Sequence, residues 1–193
     1  MIRKILWTVL AGVLALAAAV AINAARKGSR QLTVAPLPPI AIDENAVAQR
    51  LAQAVRLKTV SSQSDAQLNA DQFEALHALL QKQFPRVHAT LKRESVGGLS
   101  LLYTWEGRDP KAKAILLMAH QDVVPIAPGT EGDWHQPPFA GVVKDGFVWG
   151  RGAWDDKGNL LSQMEAVAML LACGYLPPPT LYFAFVAYEE GGG

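Results

Sequence analysis

From Ile5 to Ala25 the chain carries apolar side chains and no charge, and about 20 such residues suffice for a helix that crosses a bilayer. Periodicity then disappears through residues 28–42, where Gly28, Ser29, Pro36, Pro38 and Pro39 read as a linker. It returns near Asp43. Val47, Leu51, Ala54 and Val55 keep helical spacing with Asp43 or Asn45 as an N-cap, and Phe73, Leu76, Leu80 and Phe84 mark a second helix that stops before Pro85. Thr59 to Ser62 is the loop between them. Val87–Glu94 and Leu99–Trp105 read as strands joined by a hairpin at Gly97-Gly98, and the uninterrupted apolar run Ala114–Ala119 as a central, buried strand. Phe147–Trp149 is a short strand. Asn159–Cys173 is a largely apolar helix stopped by Gly174 and Pro177-Pro178-Pro179, and Leu181–Ala187 is a second fully buried strand. Strands alternating with helices predict an α/β sandwich of mixed or parallel sheet.

Three segments follow: 1–27 as membrane anchor or signal segment, 28–42 as linker and 43–193 as the folded body. Arg3 and Lys4 precede the apolar run and Arg26, Lys27 and Arg30 follow it, so the flanks say little about orientation. An uncleaved anchor is the first reading and a cleaved signal peptide the second; either predicts an extracytoplasmic body. The only cysteine, Cys173, excludes an internal disulfide and a thiolate cluster, and its helical apolar setting reads as a buried thiol. A net charge of +1 with scattered basic residues gives no field for nucleic acid, which is not expected as a partner.

Chemistry concentrates where apolar stretches end. His120-Gln121-Asp122 follows one such run, Asp155-Asp156 stands in a glycine-bounded turn, and Glu189-Glu190 follows another; strand ends are where open α/β sheets present their sites. Each group alone has a plainer reading: a packed histidine, a helix N-cap, an exposed acidic pair. Together, histidine and carboxylates without cysteine suit Zn²⁺, Mn²⁺ or Co²⁺. The spacing of His120 and Asp122 puts both side chains on one side of an extended segment, where the carboxylate can orient the imidazole.

These segments resemble the M20 family of metallopeptidases, in its carboxypeptidase S and N-fatty-acyl-amino-acid hydrolase branch. The resemblance rests on Met118-Ala119-His120-Gln121-Asp122-Val123-Val124-Pro125, Trp134-His135-Gln136-Pro137-Pro138-Phe139, Asp145 to Gly158, and Glu189-Glu190-Gly191-Gly192. It implies a three-layer α/β/α sandwich with a mixed, mainly parallel sheet and two bound Zn²⁺ ions. It further implies His120, Asp155 and Glu190 as metal ligands with Asp155 bridging, Asp122 as the partner that orients His120, Glu189 as general base, and a cis bond between Asp155 and Asp156. The substrates implied are dipeptides or N-acyl amino acids, and the full-length form a homodimer. His135, His77 and His88 are read as loop, surface helix and strand positions. Gly191 and Ala187-Tyr188 depart from the family pattern. The family's further acidic ligand, distant C-terminal histidine and lid domain are not in this sequence, so the chain is expected to be truncated and inactive alone. The alternatives are a fatty-acyl-amino-acid hydrolase or synthase and a non-catalytic membrane-tethered remnant.

Overall fold

A computed structural model describes residues 1–29, 31–36, 40–62, 64–65 and 67–192. Pro38 and Pro39 of the linker, Arg30 beyond the apolar run, and Gly193 lie outside the described residues. The chain divides into two compact units, Met1–Ala41 and Ile42–Gly193. The first contains one helix, α1 (Ile2–Arg26), none of whose residues is buried within the chain.

In the second unit, α2 (Glu44–Val55) starts where the Asp43 side chain accepts a hydrogen bond from Ala46 N at 3.0 Å, which satisfies one of the free amides of a helix N-terminus. After α3 (Ala70–Gln83), Pro85 opens a short helix, α4 (Pro85–Thr90). The expected strand over Val87–Glu94 is therefore corrected. Proline's fixed φ and missing N–H suit the first position of a helix, and extended backbone begins only at β1 (Lys92–Val96). The hairpin at Gly97-Gly98 then joins β1 to β2 (Ser100–Trp105) as expected. After β3 (Ile115–His120) comes a small hairpin of β4 (Val142–Lys144) and β5 (Phe147–Trp149), then α5 (Lys157–Ala172) and β6 (Leu181–Val186).

The main sheet runs β1-β2-β6-β3, mixed as expected; β3 pairs with β6 in parallel, and the other two pairings are antiparallel. Alternate residues Leu101, Tyr103 and Trp105 of β2 and Phe183 and Phe185 of β6 point into one core. They meet Leu76 and Leu80 of α3, Val87 of α4 and Leu160, Leu161, Met164 and Val167 of α5. The strand expected to be central and buried is the sheet's edge: Leu116 and Met118 are 55% and 56% exposed. An unbroken apolar run records that both faces of a strand are apolar, not that both are covered. The open edge of β3 is occupied by polar side chains from the start of α5. Met118 O accepts from Asn159 Nδ2 at 3.2 Å and Gln163 Nε2 at 3.0 Å, and His120 N donates to Asp156 Oδ2 at 3.1 Å. Such bonds satisfy an edge that otherwise invites another strand. Cys173 is exposed rather than buried, because it caps the end of α5 and leaves the packed stripe.

Candidate metal centre

His120 ends β3, Asp155 lies in the turn that enters α5, and Glu190 lies in the turn that follows β6. Because β3 and β6 are parallel neighbours, with His120 opposite Val186, their C-terminal ends open side by side. Segments more than thirty residues apart in sequence thus meet at one sheet end. His120, Asp155 and Glu190 each offer a ligand atom, all within 4.8 Å of one another. Glu189 Oε2 lies 3.9 Å from His120 Nε2.

Asp122 is buried completely and organises the others. Its carboxylate accepts hydrogen bonds from Ser61 Oγ at 2.6 Å, Glu189 N at 3.2 Å and Glu190 N at 3.0 Å. The acidic turn is therefore held by an aspartate two residues past the histidine, and its backbone amides keep the buried charge satisfied. His120 Nδ1 lies 3.0 Å from the backbone carbonyl of Asp122 and 3.3 Å from its carboxylate, closer to the carbonyl than the side-chain pairing expected from sequence. Gln121 points the other way. It donates through Nε2 to Leu99 O and Phe185 O and meets His77 Nε2 at 2.7 Å, so alternation along the strand end gives His120 and Asp122 to the site and Gln121 to the core. His77 is thereby half-buried, with burial holding its pKa below the usual value. His88 is helical rather than in a strand, contacting Phe84 O and Tyr103 Oη.

The Asp155–Asp156 peptide bond is cis. Gly152, at φ +81°, sits so close beneath this turn that a Cβ there would come within 2.6 Å of Val123 Cγ1. Lys157, the next residue after the pair, is wholly buried, and its ammonium donates to Ala54 O at 3.0 Å and Leu57 O at 2.6 Å. Ala54 lies in the last turn of α2 and Leu57 just beyond its C-cap, Arg56, at a helix end where a cation is favoured. Burial nevertheless drags the Lys157 pKa to about 7 against the opposing attraction of Asp122. Neither Ser61 nor Lys157 was singled out from sequence. Ser61 lies in a loop tied to the site's strand end by Thr59 Oγ1 donating to Gln121 O at 2.7 Å and by the Val60–Val123 bridge.

The electrostatics fit a cation. Burial works against the charged form of His120, but the hydrogen bond to Asp155 and the field of Asp122 and Asp156 outweigh it and raise its pKa. His120 Nε2 lies 2.9 Å from Asp155 Oδ1, while Nδ1 faces a carbonyl. Both neighbours offer acceptor oxygens to the ring. Burial and then the nearby charge of Asp155 raise the pKa of Glu190. A divalent ion at Nε2 would relieve the crowding of Asp155, Glu189 and Glu190, and one nitrogen with carboxylate oxygens is a donor set for Zn²⁺, Mn²⁺ or Co²⁺.

An α/β scaffold that gathers histidine and carboxylates at adjacent strand ends defines a class of metal-site proteins. Residues 116–193 match the model of peptidase family M20/M25/M40, and through this segment the chain belongs to that family. It is 39% identical over 204 aligned positions to a probable carboxypeptidase S-like protein of Dictyostelium discoideum, and 42% identical over 156 to carboxypeptidase S of Saccharomyces cerevisiae. The bovine N-fatty-acyl-amino acid synthase/hydrolase PM20D1 is 37% identical over 150 positions, across 77% of this chain. The chain spans 38%, 27% and 29% of the lengths of these three relatives. Among solved structures, human carnosine dipeptidase 1 superimposes over 81% of this chain and 36% of its own with a TM-score of 0.65 at 24% identity, a likeness of fold. The dipeptidase Dug1p of Saccharomyces cerevisiae gives 0.57 at 27% identity, over 78% of this chain and 36% of its own.

Proposed function

We propose that the chain forms the N-terminal part of a membrane-anchored metallohydrolase that cleaves the amide next to a free carboxylate in dipeptides or N-acyl amino acids. The convergence of His120, Asp155 and Glu190, with Glu189 beside them, carries this reading. The names of the relatives support it: a carboxypeptidase, a dipeptidase and an N-fatty-acyl-amino acid synthase/hydrolase.

In the proposed site His120, Asp155 and Glu190 would hold the metal, two Zn²⁺ ions or, in their place, Mn²⁺ or Co²⁺. Bound metal supplies Lewis acidity and a water whose pKa falls toward neutrality. Glu189, with its side chain 58% exposed, is free to take a proton from the attacking water and return it to the leaving nitrogen. Asp122 keeps His120 oriented and the Glu189-Glu190 turn in place. Asp155 is likewise open, its side chain 72% exposed, so substrate reaches the cluster from solvent. The helix α1 would tether the body to a membrane with the site outside the cytoplasm, a cleaved signal segment being the second reading. Homodimerisation of a full-length form belongs to the same proposal.

The chain alone is expected to be inactive, so the test is hydrolysis of a dipeptide and of an N-acyl amino acid by a zinc-loaded full-length form that contains it and by the Glu189→Gln variant of that form. The proposal expects release of the amine and a fall of about 10²- to 10⁴-fold in the variant with zinc binding kept. Hydrolysis that Glu189→Gln leaves unchanged contradicts it, and zinc binding with no hydrolysis at all favours a non-catalytic membrane-tethered remnant. Whichever of the two substrates turns over faster separates a carboxypeptidase from an acyl-amino-acid hydrolase.

A further inference from the structure

Gln121 stands between the proposed ligand His120 and the aspartate that orients it, Asp122, and is wholly buried. Its backbone N–H donates to Val186 O at 2.8 Å and its carbonyl accepts from Thr59 Oγ1 at 2.7 Å. Its side-chain Nε2 donates to Leu99 O at 2.9 Å and to Phe185 O at 2.7 Å. One residue thus ties the end of β3 to β6, to the β1–β2 hairpin and to the loop that carries Ser61. Both side-chain N–H groups go to backbone carbonyls, which only accept, so Oε1 is the end that faces His77. An amide oxygen cannot donate, and His77 Nε2, 2.7 Å away, is therefore the donor.

His77 reaches this amide because it shares one face of α3 with Phe73, Leu76 and Leu80, the buried face of that helix. Among the described residues it is the one side chain bonded to the Gln121 amide; the other partners are backbone groups that no substitution removes. Without its N–H, Oε1 becomes an unpartnered acceptor in a dry interior, and turning the amide over sets that oxygen against two carbonyls. The cost falls on the residue whose two chain neighbours both face the site. We infer that His77 is a positioning residue for the metal centre: acting through Gln121, it holds the end of β3 in the arrangement that presents His120 and Asp122 together. This rests on the metal-site reading proposed above and adds to it a residue of α3, 44 positions before Gln121 in the chain. Groups that orient a metal ligand commonly change metal affinity by about 10- to 100-fold when removed. His77 acts through one residue more, so the lower figure is the expectation.

The full chain in nanodiscs is titrated with Co²⁺ and followed by the visible absorption of the bound ion, which reports ligand type and geometry without any turnover. Wild type is compared with His77→Leu, which fills the space but has no donor, and with His77→Gln, whose amide N–H can take the place of Nε2–H. The control is His88→Leu, at the other half-buried histidine, which meets Phe84 O and Tyr103 Oη instead. His77→Leu is expected to bind Co²⁺ about tenfold more weakly and with an altered band at saturation, whereas His77→Gln and His88→Leu stay within about threefold of wild type. Circular dichroism establishes that each variant is folded. Should His77→Leu not fold, His77→Asn, whose shorter amide stops short of Oε1, takes its place with the same loss expected. Wild-type affinity in the variant without the donor, a loss that His77→Gln shares, or an equal loss in His88→Leu overturns the inference and leaves the metal reading standing. A wild type that takes up no Co²⁺ overturns the metal reading, and the inference with it.

Discussion

His120 and Asp122 show how two residues divide one task. Asp122 is sealed from solvent and takes hydrogen bonds from a serine and from the two amides of the acidic turn. Removing it orphans three donors, so Asp122→Ala is expected to lower the unfolding free energy by about 3 kcal/mol and Ser61→Ala by about 1 kcal/mol, measured by urea denaturation. Equal, negligible losses in both contradict the hub. His120 sets the pH dependence. A metal ligand must be deprotonated, and the carboxylates around His120 hold its pKa above 6.5. Protons therefore compete from a higher pH than an ordinary histidine allows: Zn²⁺ affinity falls as pH drops through that raised pKa, already above 6.5, with a proton released on binding. Affinity flat down to pH 6 contradicts this. That the two share one side was legible because alternation along a strand places residues two apart together. Ser61 was not, since a serine in a polar loop gains its meaning only when the Val60–Val123 bridge brings that loop to the strand end.

Among the elements, α2 and α5 are joined by one buried cation. Lys157, the first residue of α5, holds Ala54 O in the last turn of α2 and Leu57 O just beyond it, and so fixes the turn that presents Asp155. Lys157→Ala leaves those carbonyls without their donor and opens a cavity, with an expected cost of about 2–4 kcal/mol; Lys157→Met refills the volume and recovers part of it. A calorimetric unfolding series that ranks methionine no better than alanine contradicts the packing share of this account. At the other end of α2, Asp43→Ala should cost about 1 kcal/mol as a lost N-cap. Element identity was readable where Gly or Pro bounded a strong period, as in α5 and the Gly97-Gly98 hairpin. It was misread at Val87–Thr90, where alternate apolar residues suit a strand as well as a helix and Pro85 decides between them. Burial was misread at β3, because neighbours that cover a strand lie elsewhere in the sequence.

At the scale of the molecule the chain is two units, for which the proposed reading expects different solvents. α1 exposes every apolar residue it has, which water does not favour and a bilayer does. The chain should remain in the membrane fraction after alkaline carbonate washing, and a chain lacking residues 1–27 should not; recovery of both in the soluble fraction contradicts the anchor. The second unit carries a mixed sheet with its candidate site at the end where two parallel strands stop, the part of the architecture that sequence pattern conveyed best. The sheet order did not follow from the pattern, since hairpins and crossovers obey the same alternation.

Calorimetric Zn²⁺ titration of the full chain beside its His120→Ala and Glu190→Ala variants at pH 7.5 bears most directly on the metal centre. The account predicts saturable binding by the wild type and at least a tenfold loss of affinity in each variant, the order expected when a charge-bearing contact worth about 1.4 kcal/mol or more is removed. Unchanged affinity and stoichiometry in both variants contradicts it.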